Sequence, residues 1–483
     1  MEKFFFKKVS ALLLVLVVAA LLLCSCATAK MKKNVDKQNE AKAMLIAGDI
    51  GKAKQEIAAS KEAYKDELVY LADMGWLCYY NGDYKEAIKN LLQAEKLAEE
   101  KRVKSFSDGL EKAVASDSAA DYVLENYEDV YINLCLALCY YEIGEKDEAF
   151  VEIRKVNTKL DNMALNEKEQ LSKFKKMVFA ISPDAMGAYE EIKQGKEREY
   201  TASSLASFLS MRFNSASGDS DTAGYTDAKN LYDNFGIQAE EDDIETPKNK
   251  ARVNLVSLEG LIANKEEKST VASTSIVLAN IEKLLNIAGV SPEAIASKVG
   301  FTGGPFGHKV AWPVLNNGMD SSVVSTRIIC SNGQSAKAEI IENMNDTASS
   351  ALVFKAPSNY LRSYYRGYMK NVAGIAAAVA AEYGAYVAAD KISNSFAKKA
   401  ALASAGVAFQ AALSKLQNTE AADLRMASFM PAKISAAGLT LDPGVYDFTV
   451  EYTLTSGKKV TREFNKVNVK ADELNLIISN CTK

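Results

Sequence analysis

Along the first half of the chain, apolar residues return every three or four positions, the spacing that lines one face of a helix. A short glycine-to-alanine motif punctuates this rhythm. Gly48-Asp49-Ile50-Gly51-Lys52-Ala53 recurs as Gly82-Asp83-Tyr84-Lys85-Glu86-Ala87 and as Gly144-Glu145-Lys146-Asp147-Glu148-Ala149, with a weaker copy in Gly218-Asp219-Ser220-Asp221-Thr222-Ala223. Gly48 and Gly82 stand 34 positions apart, the period of a tetratricopeptide repeat, and the wider later gaps imply insertions. Each motif predicts a helical hairpin. The glycine ends the first helix in the left-handed conformation, and the small alanine lets the second helix approach closely. Trp76-Leu77-Cys78-Tyr79-Tyr80 supplies a bulky face before the second turn, and Leu91, Ala94 and Leu97 continue the stripe after it. The aromatic residues here, Tyr84 among them, read as packing.

The pattern changes near residue 250. Glu240-Glu241-Asp242-Asp243, with Glu245 and Pro247, predicts a solvated acidic connector and a domain boundary. Beyond it, 253–258 alternates as a strand, and a helix is expected over 273–288, ending at Gly289. Ser291-Pro292 has the chemistry to open another helix. Strands are expected at 310–315, 322–330 and 336–341, with Gly303-Gly304-Pro305-Phe306-Gly307-His308 as a tight connection ahead of the first of these. Turns at Asp442-Pro443-Gly444 and Ser456-Gly457 separate further strands up to 474–479, a small antiparallel unit. Between these β segments, 360–417 is alanine-rich and helical. Glu382, Asp390 and Lys391 interrupt it, and a charge at mid-bilayer costs about 2.5 kcal/mol or more. It is therefore expected to pack as a helical hairpin rather than span a bilayer. The expected fold class is α+β: all-α tetratricopeptide-like repeats (26–250), a mixed segment contributing strands (251–355), an Ala-rich helical hairpin insertion (356–420) and a C-terminal antiparallel segment (421–483), behind a leader (1–25).

The leader changes the picture most. Lys3, Lys7 and Lys8 precede an unbroken apolar run over 11–23, too short to span a bilayer comfortably and suited to a signal peptide. Leu23-Cys24-Ser25-Cys26 follows and resembles the lipobox of bacterial lipoproteins, with an aliphatic residue three before the cysteine and a small one just before it. Cys26 meets both conditions. Cys24, preceded by Leu23, does not. A multiply acylated Cys26 would be a durable anchor, each buried methylene contributing about 0.8 kcal/mol.

Composition narrows the function. The chain carries 58 basic and 62 acidic residues, a net charge of −4. It has no basic excess for nucleic acid or for a chain held on anionic lipid by charge alone. Of the cysteines beyond the lipobox, Cys78, Cys135 and Cys139 lie on helical patterns and read as small buried hydrophobes. Cys330 and Cys481 lie on strands, where pairing is open. The one histidine, His308, excludes a multi-histidine metal site within one chain. No serine sits in a Gly-x-Ser-x-Gly elbow, and the glycines near His308 lack a Walker lysine. No catalytic, metal or cofactor residue is assigned, although acidic pairs leave glycan chemistry open.

Several segments together resemble a family of uncharacterised bacterial lipoproteins with tetratricopeptide-like N-terminal halves. They are Tyr127-Glu128-Asp129-Val130 leading into Ala137-Leu138-Cys139-Tyr140-Tyr141, then Gly144 and Ala149-Phe150-Val151-Glu152-Ile153-Arg154, Phe208-Leu209 with Gly218-Asp219, and Asp423-Leu424-Arg425 with Pro431. The chain departs from the family in holding Ala427 where a tryptophan is usual and in lacking a proline near Ala263. The resemblance implies an envelope protein and no activity. Asp423 and Arg425 are read as a structural ion pair. The expected role is a lipid-anchored, non-enzymatic scaffold, at the outer membrane facing the periplasm, that binds another envelope protein through its repeats. The alternatives are an envelope enzyme acting on glycan through acidic residues and a subunit of a membrane-inserted oligomer. Cys26→Ser is expected to leave an unprocessed precursor that takes up no labelled palmitate, and Cys24→Ser to be processed normally. Loss of labelling in Cys24→Ser alone would place the lipid on the wrong cysteine.

Overall fold

The computed structural model describes residues 30–64, 66–107, 121–181, 184–193, 202–216, 220–277, 281–282, 285, 291, 303–316, 321–401, 403–404, 407 and 420–483. The leader with Cys26, the glycine Gly218 and the helix expected after Ser291 lie outside the described residues. The fold is α+β, with N-terminal helices followed by small sheets and one long helix.

Helix α1 spans 30–47. It is followed by α2 (Ile50–Ala59), α3 (Glu67–Tyr80), α4 (Tyr84–Ser107), α5 (Asn126–Glu142) and α6 (Lys146–Ile181). The three repeat glycines close the hairpins α1–α2, α3–α4 and α5–α6 in one way. Gly48, Gly82 and Gly144 have φ of +97°, +80° and +84°. Each glycine N–H donates to the carbonyl three back, and the next N–H donates to the carbonyl five back, as in Asp83 to Cys78 at 2.9 Å. This double closure satisfies carbonyls that a helix end leaves orphaned. Five positions past each glycine, Ala53, Ala87 and Ala149 are fully buried. Tyr84 is half-buried, its ring 5.8 Å from that of Tyr79.

The fourth hairpin departs from this scheme. Helices α8 (Ser204–Ala216) and α9 (Tyr225–Phe235) are joined through a π turn at Ser220–Gly224, with α7 (Asp184–Lys193) preceding them. That wide turn delays the start of α9. Ala223 is therefore only half-buried within the turn, and Ala228 takes the buried small position.

The β layers begin with β1 (Ala251–Glu259), β2 (Lys265–Val277) and β3 (Gly303–Leu315), followed by β4 (Val323–Cys330), β5 (Ser335–Lys337) and β6 (Glu339–Asn343). The last four are β7 (Lys433–Leu441), β8 (Gly444–Leu454), β9 (Lys459–Val469) and β10 (Asn475–Cys481). One sheet runs β10-β1-β7-β6, a second β5-β4-β8-β9, and β2 pairs with β3 alone. The β1–β10 pair is parallel, so the unit is not purely antiparallel as its local turns suggest. The two strands lie at opposite ends of the β region, and a connection that long imposes no reversal of direction.

The two four-stranded sheets pack face to face through Val253, Leu255 and Ile477 against Ile328, Phe448 and Val450. Cys330 and Cys481 sit in this core as free thiols, and Cys78, Cys135 and Cys139 are likewise buried and free. The opposite face of β1 turns Val256 and Leu258 into the apolar core of the helices. Strand β1 is thus buried along its whole length, and a single core runs through residue 250 without interruption.

Three local expectations are corrected. The segment 273–277 completes β2 rather than opening a helix, with Ser273 opposite Gly307 and Ile276 opposite Gly304. Its Ser, Thr and Val residues suit a paired strand. The glycine-rich stretch before His308 lies within β3 itself. The acidic run is not simply a solvated connector. It forms the short helix α10 (Glu241–Ile244), where buried Asp243 accepts from Arg252 Nε at 2.6 Å and Asn254 Nδ2 at 2.7 Å. Buried guanidinium groups on β1 and α8 require that counter-charge.

The alanine-rich region begins earlier than expected, as α11 (Met344–Ala389). Asn343 caps it by accepting from Asn345 N and Asp346 N. After a turn at 390–391, the chain is helical again over 395–401, here α12. Strands β2 and β3 lie along α11. His308 packs so closely there that a Cβ on Gly367 would stand 2.3 Å from His308 Cδ2. Farther along, Val372, Ile375 and Val379 pack with Ile276, Ile281 and Leu285. Among the described residues α11 is the one helix long and apolar enough to cross a membrane, and half of its most apolar window is buried in protein.

Candidate functional site: the inner face of the helical array

The first helix of each hairpin turns toward the β layers. Helix α3 is buried from Leu71 to Tyr80, and α5 from Asn126 to Cys139. Polar residues on these inner helices face one stretch of chain, residues 420–432, which has no regular secondary structure and is buried throughout 425–432. A buried stretch outside helices and sheets must find partners for its peptide groups, and the array supplies them at Met426 O, Ala427 N, Ser428 N and Phe429 O.

Asp73 in α3 accepts from Ser428 N at 2.7 Å, Gln38 Nε2 at 2.6 Å and Tyr64 OH at 2.8 Å. Gln38 in α1 also donates to Met426 O at 3.1 Å. Tyr80 OH donates to Phe429 O at 3.0 Å. Glu128 in α5 accepts from Ala427 N at 2.9 Å, Tyr122 OH at 2.5 Å and Glu125 N at 2.7 Å. The loop after β1 completes the frame. Ile262 N donates to Met430 O, and Ala432 N to Glu259 O. Met426, Phe429 and Met430 meanwhile sink into the helical core.

The polar end of this segment is ionic. Arg425 donates through Nη2 to Asp423 at 2.6 Å and through Nη1 to Asp66 at 3.4 Å, and lies over the Tyr122 ring. Asp66 also caps α3 through Leu68 N at 3.0 Å and binds Lys101 at 2.6 Å. Lys265 at the foot of β2 donates to Arg425 O at 3.0 Å and Tyr122 OH at 2.8 Å. Lys355 of α11 holds Glu125 at 2.8 Å. Asp423 and Arg425 are thus one corner of a network that joins α3, α4, α5, β2 and α11.

Burial and partners set the ionisation. Burial raises Glu125, but Lys355 and Lys265 outweigh it and hold the carboxyl at about 2. Burial raises Glu128, and the neighbouring Glu125 charge adds to that. Burial pushes Asp73 up to about 7 in spite of its three hydrogen bonds. Burial likewise pulls Lys42 down to about 7, and Lys42 donates to Ile262 O at 2.8 Å and Asn264 Oδ1 at 2.5 Å.

The repeat residues Gly48, Ala53, Gly82, Tyr84, Ala87, Gly144 and Ala149 shape the hairpins and stand apart from this network. The residues that make it, Gln38, Lys42, Asp66, Asp73, Tyr122, Glu125, Glu128 and Lys265, carry no motif that singles them out in the sequence. A single acid set between apolar neighbours, as in Leu71-Ala72-Asp73-Met74, is the one signal that marks such a position. Elsewhere, a cleft lined by Tyr141, Lys146, Lys470 and Glu473 has Glu473 bound by both lysines. No group of three or more metal-ligating side chains occurs among the described residues. No family model matches the chain, and neither a curated protein nor a solved structure does so.

Asp73 titrates at about 7 when folded, against an ordinary value of 3.8 for an aspartate in water. Its contribution to stability is therefore fully present below about 3.8 and lost as pH rises through about 7. The difference in unfolding free energy between the native chain and Asp73→Asn is expected to shift against the native chain by on the order of 3 kcal/mol between pH 4 and 8. Denaturant titrations of both proteins measure it, and a flat difference over that range contradicts a buried, titrating Asp73.

Proposed function

We propose that the chain is a lipid-anchored, non-enzymatic scaffold of the bacterial cell envelope that binds another envelope protein through the outer helices of its array. The supporting observation is where the array is closed and where it is open. The inner helices of the array face residues 420–432 of the same chain, which take that side of it. The second helices of the hairpins instead expose large apolar side chains, Leu92 and Val103 on α4, Val151 on α6 and Tyr232 on α9, the last 58% exposed. Large apolar and aromatic side chains exposed on the outer helices of one array suit the docking of a protein partner. The anchor at Cys26 would hold that surface at the outer membrane facing the periplasm.

Crosslinking in intact envelopes followed by capture of the native chain is expected to recover one specific envelope protein. The triple variant Leu92→Glu, Val151→Glu, Tyr232→Glu should keep the native thermal transition and lose that partner by about tenfold or more, as expected when apolar anchors are replaced by charge. Equal recovery by the folded variant, or capture of nothing specific by the native chain, overturns the reading.

A further inference from the structure

The arm formed by α11 and α12 ends in an exposed apolar and basic surface. Phe396 opens α12 with 81% of its surface exposed, and Val407 follows at 71%. Asn394 fixes the start of α12 by accepting from Phe396 N at 2.9 Å and Ala397 N at 3.2 Å, so the exposed ring sits on an ordered, capped helix. Around it are Asp390, Lys391, Lys398 and Lys399. Asp390 is answered by Lys398 at 2.8 Å, which leaves Lys391 and Lys399, both exposed, as net positive charge. The chain as a whole is negative. An exposed aromatic ring among lysines is suited to the headgroup level of a bilayer, where the ring partitions and the lysines meet anionic phosphate.

The position of the N-terminus adds an independent argument. At the foot of β2, Asn264 binds Lys42, and Asn345 near the start of α11 accepts from Ala263 N at 2.8 Å. From that level α1, traced backward, β2 and α11 run toward the same end of the molecule. Met31 Sδ reaches Leu424 N, four residues from Glu420, which binds Arg366 of α11 at 3.1 Å. From Met31 to Cys26 the chain can extend at most roughly 17 Å. Past Lys370, α11 continues for roughly 30 Å. A molecule tethered at Cys26 with this end toward the bilayer brings the arm to the surface.

We propose that the far end of this arm is a second membrane contact, in which Phe396 enters the interface of a bilayer and Lys391 and Lys399 bind its anionic headgroups. Its orientation rests on the lipid anchor proposed above, but its chemistry does not. A single lipid signal is strengthened by a basic, aromatic contact at the same end. Glu382 and Asp390 confine the contact to the interface, because carrying them across the hydrocarbon is costly.

The test uses a mature-length chain carrying Cys26→Ser, so that no lipid contributes, and flotation with vesicles. It is expected to float with vesicles containing phosphatidylglycerol, not with pure phosphatidylcholine, and to bind less as salt is raised. Phe396→Ser with Lys391→Glu and Lys399→Glu should lower the floated fraction by about tenfold or more, because each lysine near an anionic surface adds to binding and its reversal repels the headgroups. No flotation with either lipid, or equal flotation of the variant, overturns the proposal. So does tip-dependent self-association without vesicle binding, which would give the surface to a second copy of the chain. Palmitate labelling of the native chain reports the anchor separately, so failure of the arm and failure of the anchor are distinguishable.

Discussion

A stretch of chain outside helices and sheets cannot be buried unless other groups receive its peptide N–H and C=O. In this protein that constraint falls on residues 425–432, and over 426–429 Gln38, Asp73, Tyr80 and Glu128 from three inner helices receive four of the backbone groups. The carboxylates Asp73 and Glu128 each take a backbone N–H of the segment while binding a tyrosine hydroxyl. An unmet buried donor costs about 1–3 kcal/mol, so the acceptors and the segment constrain one another. The chain on both sides of the segment is placed as a result. Ala432 leads directly into β7, and Met344 N, at the start of α11, donates to Ala432 O at 2.8 Å.

This explains why helices and sheets form one core in which β1 is buried on both faces. It also bears on what a helical array of this kind can do. Arrays of stacked helix pairs offer an inner face to extended peptides, and here the face is taken by the protein's own chain. The array and the β layers are thereby joined in one apolar core. The arm departs from that body at the Arg366–Glu420 pair, near the end where Met31 meets Leu424.

Much of the helical half was legible in the sequence, because its signals are local. A glycine at a helix end and an alanine five residues later have the same physical meaning wherever they occur, and three of the four motifs take the same double-closed turn. The fourth lost its phase to a π turn that no residue type announces. In the β half, the closing strands were legible from their turns. The β2–β3 hairpin was not, because a Ser- and Ala-containing stretch is compatible with a helix until its partner from residue 303 onward is known. The inner network was the least legible part. Asp73, Glu128 and Lys265 come from distant segments, and only the burial of one acid within an apolar helix hints at their role. Asp423 and Arg425, two residues apart, could be paired by eye, whereas Asp66 and Tyr122, which complete their site, could not.

Amide hydrogen exchange within the segment tests the central claim most directly. If residues 425–432 are held by the inner helices, the amides of Ala427 and Ser428 should be as strongly protected as those of β1 and lose protection only with global unfolding. Exchange of Ala427 and Ser428 at the rate of an exposed loop, while β1 stays protected, would contradict it.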